Sequence, residues 1–299
     1  MLVRDASAAW LRKGVEASLD ALGTDHIDLY QVHWPDPQTP ISETAAALAD
    51  LVREGLVRHA GVSNYTTAQI EQFATVLPVE TVQPPYHLFR RDIETGLLPY
   101  AAAHHIGVLA YGPLAHGLLG GTITATTTFG PGDWRAHSPA FTGEGFTRNL
   151  QVVAALRAFA ARRGATIGQL AVAWVLANPA VQVAIVGART PAHLAENIGA
   201  LNLTLSQADL AEIDTIMAAA VPVGGPTPEG MSWPSLSPRP RTAQRLIRAA
   251  PAKGPRQRSR SSAWGGWAAR WPPTWPAPAS TSGCGTAPPA TPPALPPMA

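Results

Sequence analysis

Cysteine is almost absent: the 299 residues contain one, Cys284. That excludes a disulfide framework within the chain and a multi-cysteine zinc site, and nothing in the composition requires an oxidising compartment. No apolar run approaches the roughly 20 residues of a membrane span, and the opening residues, MLVRDAS, lack the apolar stretch of a signal peptide. The expected setting is therefore the cytoplasm, without a membrane partner. Lysine occurs only at positions 13 and 253, so a reaction that needs an amine has two candidates to draw on.

Acid is missing from one end of the chain. Residues 1–230 hold 13 Lys and Arg against all 20 Asp and Glu, whereas residues 231–299 hold 9 Lys and Arg and no acid. The same final 69 residues carry 15 of the 30 prolines and five of the nine tryptophans. Two materials are joined near Gly230: a mixed apolar and polar stretch able to bury a core, and a Pro/Ala/Arg/Trp-rich tail whose composition predicts disorder. The division is set at residues 1–231 and 232–299. Within the tail, RQRSR at 256–260 followed by Trp264 and Trp267 interleaves basic residues with aromatics, as nucleic-acid-binding segments do. An extension without a selected role is the favoured reading, so a nucleic-acid partner is not expected.

From Ser7 the apolar residues Leu11, Val15, Leu19 and Leu22 fall at helical spacing, and Gly23 stands where a C-cap belongs. IDLYQV at 27–32 is a short β-rich run. A helix over 42–54, a strand over 57–62, a helix opened by the capping box Thr66-x-x-Gln69, a strand over 80–83, a helix near 95–105 and a strand over 107–111 continue the alternation. A loop rich in Gly and Thr, 120–145, interrupts it, and loops of that length are usually functional or disordered. Two helices follow, the second opened by Thr166-x-x-Gln169, and then a strand over 181–186 and a helix with Pro191 in its first turn. The last helix, opened by Ser206-x-x-Asp209, has Leu210, Ile213, Ile216 and Met217 on its inner face. Five strands alternating with helices predict a parallel α/β sheet, either open and doubly wound or part of a (β/α) barrel.

The polar residues favour the barrel. His33, Ser63 with Asn64, Gln83, Tyr111 and the stretch from Gly187 to Arg189 each stand at or just past the C-terminal end of a predicted strand, the face on which barrels build their sites. No G-x-G-x-x-G follows the first strand, so a Rossmann reading has no fingerprint.

GTDHIDLYQVHWPD at 23–36, GVSNY at 61–65, AYGPL at 110–114 and VGARTPAHLAEN at 186–197, in this order and spacing, resemble the aldo-keto reductase family over about residues 2–231. The resemblance implies a (β/α)8 TIM-type barrel that binds NADPH and passes its hydride to a small carbonyl substrate, an aldehyde or ketone. By the same resemblance His33 faces the substrate carbonyl and Trp34 lines the substrate pocket. Ser63, Asn64 and Gln83 meet the nicotinamide carboxamide, and Tyr111 stacks beneath the ring. Gly112, Leu114 and Gly117, with Gly120 and Gly121, fall in the segment that wraps the pyrophosphate. Gly187 and Arg189 lie where the adenosine 2′-phosphate is met, Glu196 and Asn197 match adenine contacts, and His193 stands where many members have Gln. No metal is implied. Taken singly, each residue has a plainer reading: a structural strand-end histidine, a Ser-Asn turn pair, a core tyrosine.

The resemblance also marks what has no counterpart. The family reaction uses an Asp and a Tyr after the second barrel strand, a Lys at the end of the third, and the histidine. Here the resemblance opens in the helix that follows the third strand, so about five of eight strand-helix units are expected, as in a reductase whose start lies too far downstream. Lys13 falls in the first helix and Lys253 in the tail. Catalysis is then in doubt, and a non-catalytic NADPH-binding protein or inactive fragment is the alternative. Five strands leave two edges, 27–32 and 181–186, both apolar and predicted to be unprotected.

Overall fold

A computed structural model of the chain describes residues 4–227. The tail, its boundary at 231 and the nucleic-acid reading attached to it lie outside the described residues. In chain order the elements are α1 (Ala8–Leu22), β1 (Ile27–Val32), α2 (Ile41–Arg53), β2 (Val57–Ser63), α3 (Thr67–Ala74), β3 (Thr81–Gln83), α4 (Leu97–Ala103), β4 (Gly107–Tyr111), α5 (Gly143–Arg162), α6 (Ile167–Ala177), β5 (Val183–Ile185), α7 (Pro191–Gly199) and α8 (Gln207–Met217). The strands form one sheet in the order β1-β2-β3-β4-β5, every pair parallel. Sequence neighbours are sheet neighbours throughout, with no reversal of order. That is the winding of a barrel and not of a doubly wound sheet. Among the described residues the sheet is open, with β1 and β5 at its edges.

Local chemistry explains the helix ends. Thr66, Thr166 and Ser206 each complete a capping box with Gln69, Gln169 and Asp209, satisfying backbone donors that a helix start leaves over. Gly23 ends α1 at φ 66°, in the left-handed region that costs glycine nothing.

Alternation along the strands sorts the two faces of the sheet. Register aligns Val62 with Val82 and Val82 with Val108, and these residues, with Ala60 and Ala110, are buried with Leu48, Ile70, Phe73, Leu98, Leu156, Phe159 and Leu170 in the core. Each fully buried side chain of this size is worth about 1.5–3 kcal/mol. The alternate positions, Gln31, Gly61, Thr81, Gln83, Leu109 and Tyr111, occupy the other face, which is mixed and half-exposed. α8 and the chain beyond it return to the loop after β3: Arg91 pairs with Asp214 at 2.6 Å, and the Val223 amide donates to the Phe89 carbonyl at 2.9 Å.

Three sequence expectations need correction. The helix predicted near 95–105 begins at Leu97, after a 3-10 turn over Asp92–Thr95, because Pro99 lacks the N–H that would bond the Thr95 carbonyl. The strand predicted over 181–186 is only Val183–Ile185, whose register with Leu109–Tyr111 stops where β4 itself stops. The 120–145 loop is organised: Trp134–His137 is a 3-10 turn, Trp134 and Phe129 pack edge-on against Phe141, and 143–145 already belong to α5. The two edges also differ. Val183 and Ile185 of β5 are 43% and 38% exposed, whereas no β1 side chain is an exposed large hydrophobic. On α8, Ile213 and Met217 are buried, and Leu210 and Ile216 pack half-buried against the core.

Candidate active site

The ends of the first four strands are tied together by side chains. Asn64, just past β2, sits at φ 62°, a conformation Asn tolerates better than most residues. Its Nδ2 donates to the His33 carbonyl at 2.9 Å and to Ser63 Oγ at 3.0 Å, and its Oδ1 accepts from the Tyr111 hydroxyl at 2.8 Å. Ser63 Oγ donates to the Gln83 carbonyl at 2.7 Å. One amide thus locks the ends of β1, β2 and β4, while Ser63 adds β3. Burial raises the Tyr111 hydroxyl above the usual tyrosine range, against a weaker opposing pull from Arg90, so it stays a neutral donor.

His33 is exposed, and no hydrogen bond among the described residues holds its imidazole. Trp34 is half-buried, with the Arg4 guanidinium carbon 4.9 Å from its ring centroid. The loop beneath is organised by Asp36. Its carboxylate accepts from the Ala6 amide at 3.1 Å, the Gln38 amide at 2.8 Å and the Thr39 hydroxyl at 2.6 Å. Desolvation pushes its pKa up, but these donors and the Arg4 charge together hold it below the usual value.

Past β4 the backbone takes a left-handed turn. Gly112, Ala115, His116 and Gly117 have φ of 70°, 49°, 56° and 97°. Ala and His cost free energy there, so the surroundings must enforce the turn. Arg135 does so in part, donating from Nη1 to the His116 carbonyl at 2.9 Å, while the His116 ring packs edge-on against Trp134 at 4.8 Å. His87 lies edge-on to His116 at 6.0 Å, is fully buried, and has no hydrogen-bond partner at either ring nitrogen. Burial, helped by neighbouring positive charge, lowers His87 to about 3 and His116 to about 4, so both are neutral near pH 7.

The third group stands apart. Gly187, Arg189, His193 and Glu196 are exposed at β5 and α7, where the Thr190 side chain caps the helix start. Asn197 Nδ2 donates to the Gly187 carbonyl at 3.4 Å, and Glu196 Oε1 accepts from Thr166 at 3.2 Å. No hydrogen bond among the described residues joins this group to the strand-end circuit. A cleft of about 630 Å³ lies elsewhere, lined by residues that include Arg90, Met217 and Val223 and by none of the strand-end residues. Among the described residues no cluster of three or more His, Cys, Asp or Glu is placed to hold a metal, and no helix is long and apolar enough to cross a membrane.

Sequence reasoning missed four contributors. Gln31, near the end of β1, bridges to β3, donating from Nε2 to Thr81 Oγ1 at 2.9 Å. Asp36 was visible only as a Pro-flanked acid, and His87 only as the residue after PPY. Gly61 is required for a spatial reason: a Cβ there would fall 2.1 Å from Thr81 Oγ1 and 2.8 Å from the Thr81 carbonyl.

A unidirectional parallel sheet with a polar circuit at its C-terminal ends has the geometry of a barrel enzyme. The Aldo/keto reductase family model matches residues 1–218. The chain belongs to the aldo/keto reductase family. It is 42% identical over 237 residues to "Aldo-keto reductase YhdN" of Bacillus subtilis, covering 78% of this chain and 71% of the relative. It is 36% identical over 211 residues to the "NADH-specific methylglyoxal reductase" of Escherichia coli, covering 70% of this chain and 64% of that one. The solved structure of the glycerol dehydrogenase AKR11B4 from Gluconobacter oxydans superposes with a TM-score of 0.71 at 39% identity, covering 78% of this chain and 70% of that protein. The chain thus spans 64% to 71% of the length of these reductase relatives.

The residues present fit the nicotinamide cofactor that the family uses. A carboxamide needs fixed neutral partners, and Ser63, Asn64 and Gln83 are neutral groups pinned at strand ends. A half-buried neutral tyrosine offers a ring face, and an exposed arginine precedes a capped helix start that favours an anion.

Proposed function

We propose that the chain is a cytoplasmic, NADPH-binding reductase of this family, directed at a small aldehyde or ketone, with its site in residues 1–231. The observation that carries the reading is the circuit joining His33, Ser63, Asn64, Gln83 and Tyr111 across four consecutive strand ends. Gln83 and Asn64 would hold the carboxamide, and Tyr111 the underside of the ring. Gly112, Leu114 and Gly117 would lie along the pyrophosphate. Gly187, Arg189, His193, Glu196 and Asn197 would take the adenosine end. When bound, the reduced nicotinamide supplies hydride. His33 would meet the carbonyl oxygen and Trp34 the rest of the substrate.

NADPH is preferred over NADH because a guanidinium fork beside a helix N-terminus suits a phosphate. The E. coli relative is named NADH-specific, so this choice rests on Arg189 and is tested by titrating both cofactors. Arg189→Ala should weaken NADPH binding about tenfold and leave NADH unchanged. Equal losses for both would remove the 2′-phosphate assignment.

A second reading, cofactor binding without turnover, is favoured by one observation. Lys13 lies in α1 with its Nζ 5.3 Å from the Trp10 ring, and no other lysine falls among the described residues. Without the lysine and the tyrosine acid of the family reaction, a rate lower by about 10²- to 10⁴-fold is expected. Oxidation of NADPH by an aromatic aldehyde, followed at high enzyme concentration, separates the readings. Turnover that falls further in His33→Ala supports the enzyme, and binding with no turnover supports the second reading.

A further inference from the structure

The face of the sheet opposite the core carries a polar bar that no motif announces. Gln31 of β1 is in register with Gly61 of β2, and Gly61 with Thr81 of β3. Neighbouring strands lie about 4.8 Å apart, so a side chain from β1 reaches β3 only by passing over β2. Gln31 does this. Its Nε2 donates to Thr81 Oγ1 at 2.9 Å, and its Oε1 accepts from Gln83 Nε2 at 2.7 Å. Gly61 makes the crossing possible, because a Cβ would stand 2.9 Å from Gln31 Cγ and 2.1 Å from Thr81 Oγ1.

The consequence falls on Gln83. Its backbone carbonyl already receives the Ser63 hydroxyl at 2.7 Å and the Asn64 amide at 3.3 Å, and its side-chain nitrogen gives one hydrogen to Gln31. What remains to offer a ligand is Oε1, an acceptor with two lone pairs, together with the second of the two Nε2 hydrogens. A free glutamine side chain would turn either end outward and would lose rotamer freedom on binding.

We infer that Gln31 is a positioning residue: reaching over Gly61, it holds the Gln83 side-chain amide in one orientation, so that the site presents a fixed acceptor and donor to a primary amide. This rests on the proposed cofactor reading, in which the primary amide is the nicotinamide carboxamide. Gln31 touches no ligand itself. Its contribution is selective for the nicotinamide end, since the adenosine end is assigned to α7, and the bar spans β1 to β3 only.

The test compares two probes by titration calorimetry on the intact chain: NADPH, and 2′-phospho-ADP-ribose, which lacks the nicotinamide. For Gln31→Leu, NADPH affinity should fall about tenfold while 2′-phospho-ADP-ribose changes less than about twofold. Gln31→Glu keeps an acceptor for Gln83 Nε2 and should recover NADPH affinity to within about threefold, which also guards against a leucine variant that merely misfolds. Equal loss for both probes with Gln31→Glu unrecovered would make Gln31 structural only and overturn the inference. No change for either probe would overturn it too. If the unmodified chain binds 2′-phospho-ADP-ribose and gains nothing from the nicotinamide, the cofactor reading survives and the inference falls. If it binds neither probe, the reading itself has failed.

Discussion

The ends of β1 to β4 and the β5–α7 end of the sheet are built from the same kind of strand, yet they meet solvent differently. At the first, Asn64 and Ser63 use their polar atoms on neighbouring strands and the Gln31 bar adds a tie across the face. At the second, Val183 and Ile185 are 43% and 38% exposed, and Leu194, Ile198 and Leu201 are 53%, 56% and 71% exposed. Parallel strands are stable when both neighbours and both faces are covered, and among the described residues β5 has one neighbour and leaves Val183 and Ile185 partly exposed. The knitted end is specified by side-chain chemistry, whereas the open end offers area without direction.

The largest effect should come from breaking the knitted end at its tightest point. Gly61→Ala puts a methyl group against the Thr81 backbone, which no rotamer can relieve, so β2 and β3 must part. A loss on the order of 3 kcal/mol in urea unfolding is expected; a variant as stable as the parent would show that the strands have slack.

Acid should act on the buried histidines next, and the sign follows from their lowered values. In the folded chain His87 and His116 take protons only near pH 3 and 4, whereas in the unfolded chain they do so near pH 6.5. The unfolded state therefore binds more protons across this window. Stability is complete above about pH 6.5 and is lost as pH falls toward 3 to 4, by a few kcal/mol in all. His87→Leu should flatten that slope in pH-dependent thermal melts, and it removes two buried nitrogens that have no partner.

Asn64→Ala sharpens the comparison by deleting three hydrogen bonds at once. A cost of about 1–3 kcal/mol is expected, with the His33 and Tyr111 ends loosened together; denaturant unfolding measures the cost. The smallest change in stability should come from the open end. Ile198→Lys with Ile185→Lys should alter unfolding by less than about 0.5 kcal/mol each, yet reduce self-association in sedimentation. A large destabilisation there would mean that the β5–α7 surface is packed.

Much of the fold was legible because it rests on short-range signals. Three capping boxes, the Gly23 stop and β-rich runs between them placed most of the helices and strands, and the alternation named the class. The misses have local causes: Pro99 moved a helix start, and the end of β4 at Tyr111 shortened β5. At the site, His33, Ser63, Asn64, Gln83 and Tyr111 stand at strand ends as read, because a strand's last residue is fixed by its hydrophobic run. Gln31, Thr81 and Gly61 were not read as a unit, since what relates them is register across three strands, which a linear sequence does not display. His87 was missed for a related reason: its burial comes from the turn after β4, almost thirty positions on.

The sequential strand order has a kinetic side. Each strand pairs with the one before it, so the sheet can grow in the order in which the chain is synthesised, each parallel pairing closing a crossover that runs from Gly61 to Thr81 at its shortest and from Leu109 to Val183 at its longest. Every intermediate then exposes one parallel edge to be capped by the next strand. The longest closure is the return of the chain at α8 and just beyond it, where Asp214 and Val223 meet Arg91 and Phe89. That clasp cannot close until more than a hundred residues have been added after β3, which makes it the last piece of the described structure to form and the first point at which a stalled chain would remain open.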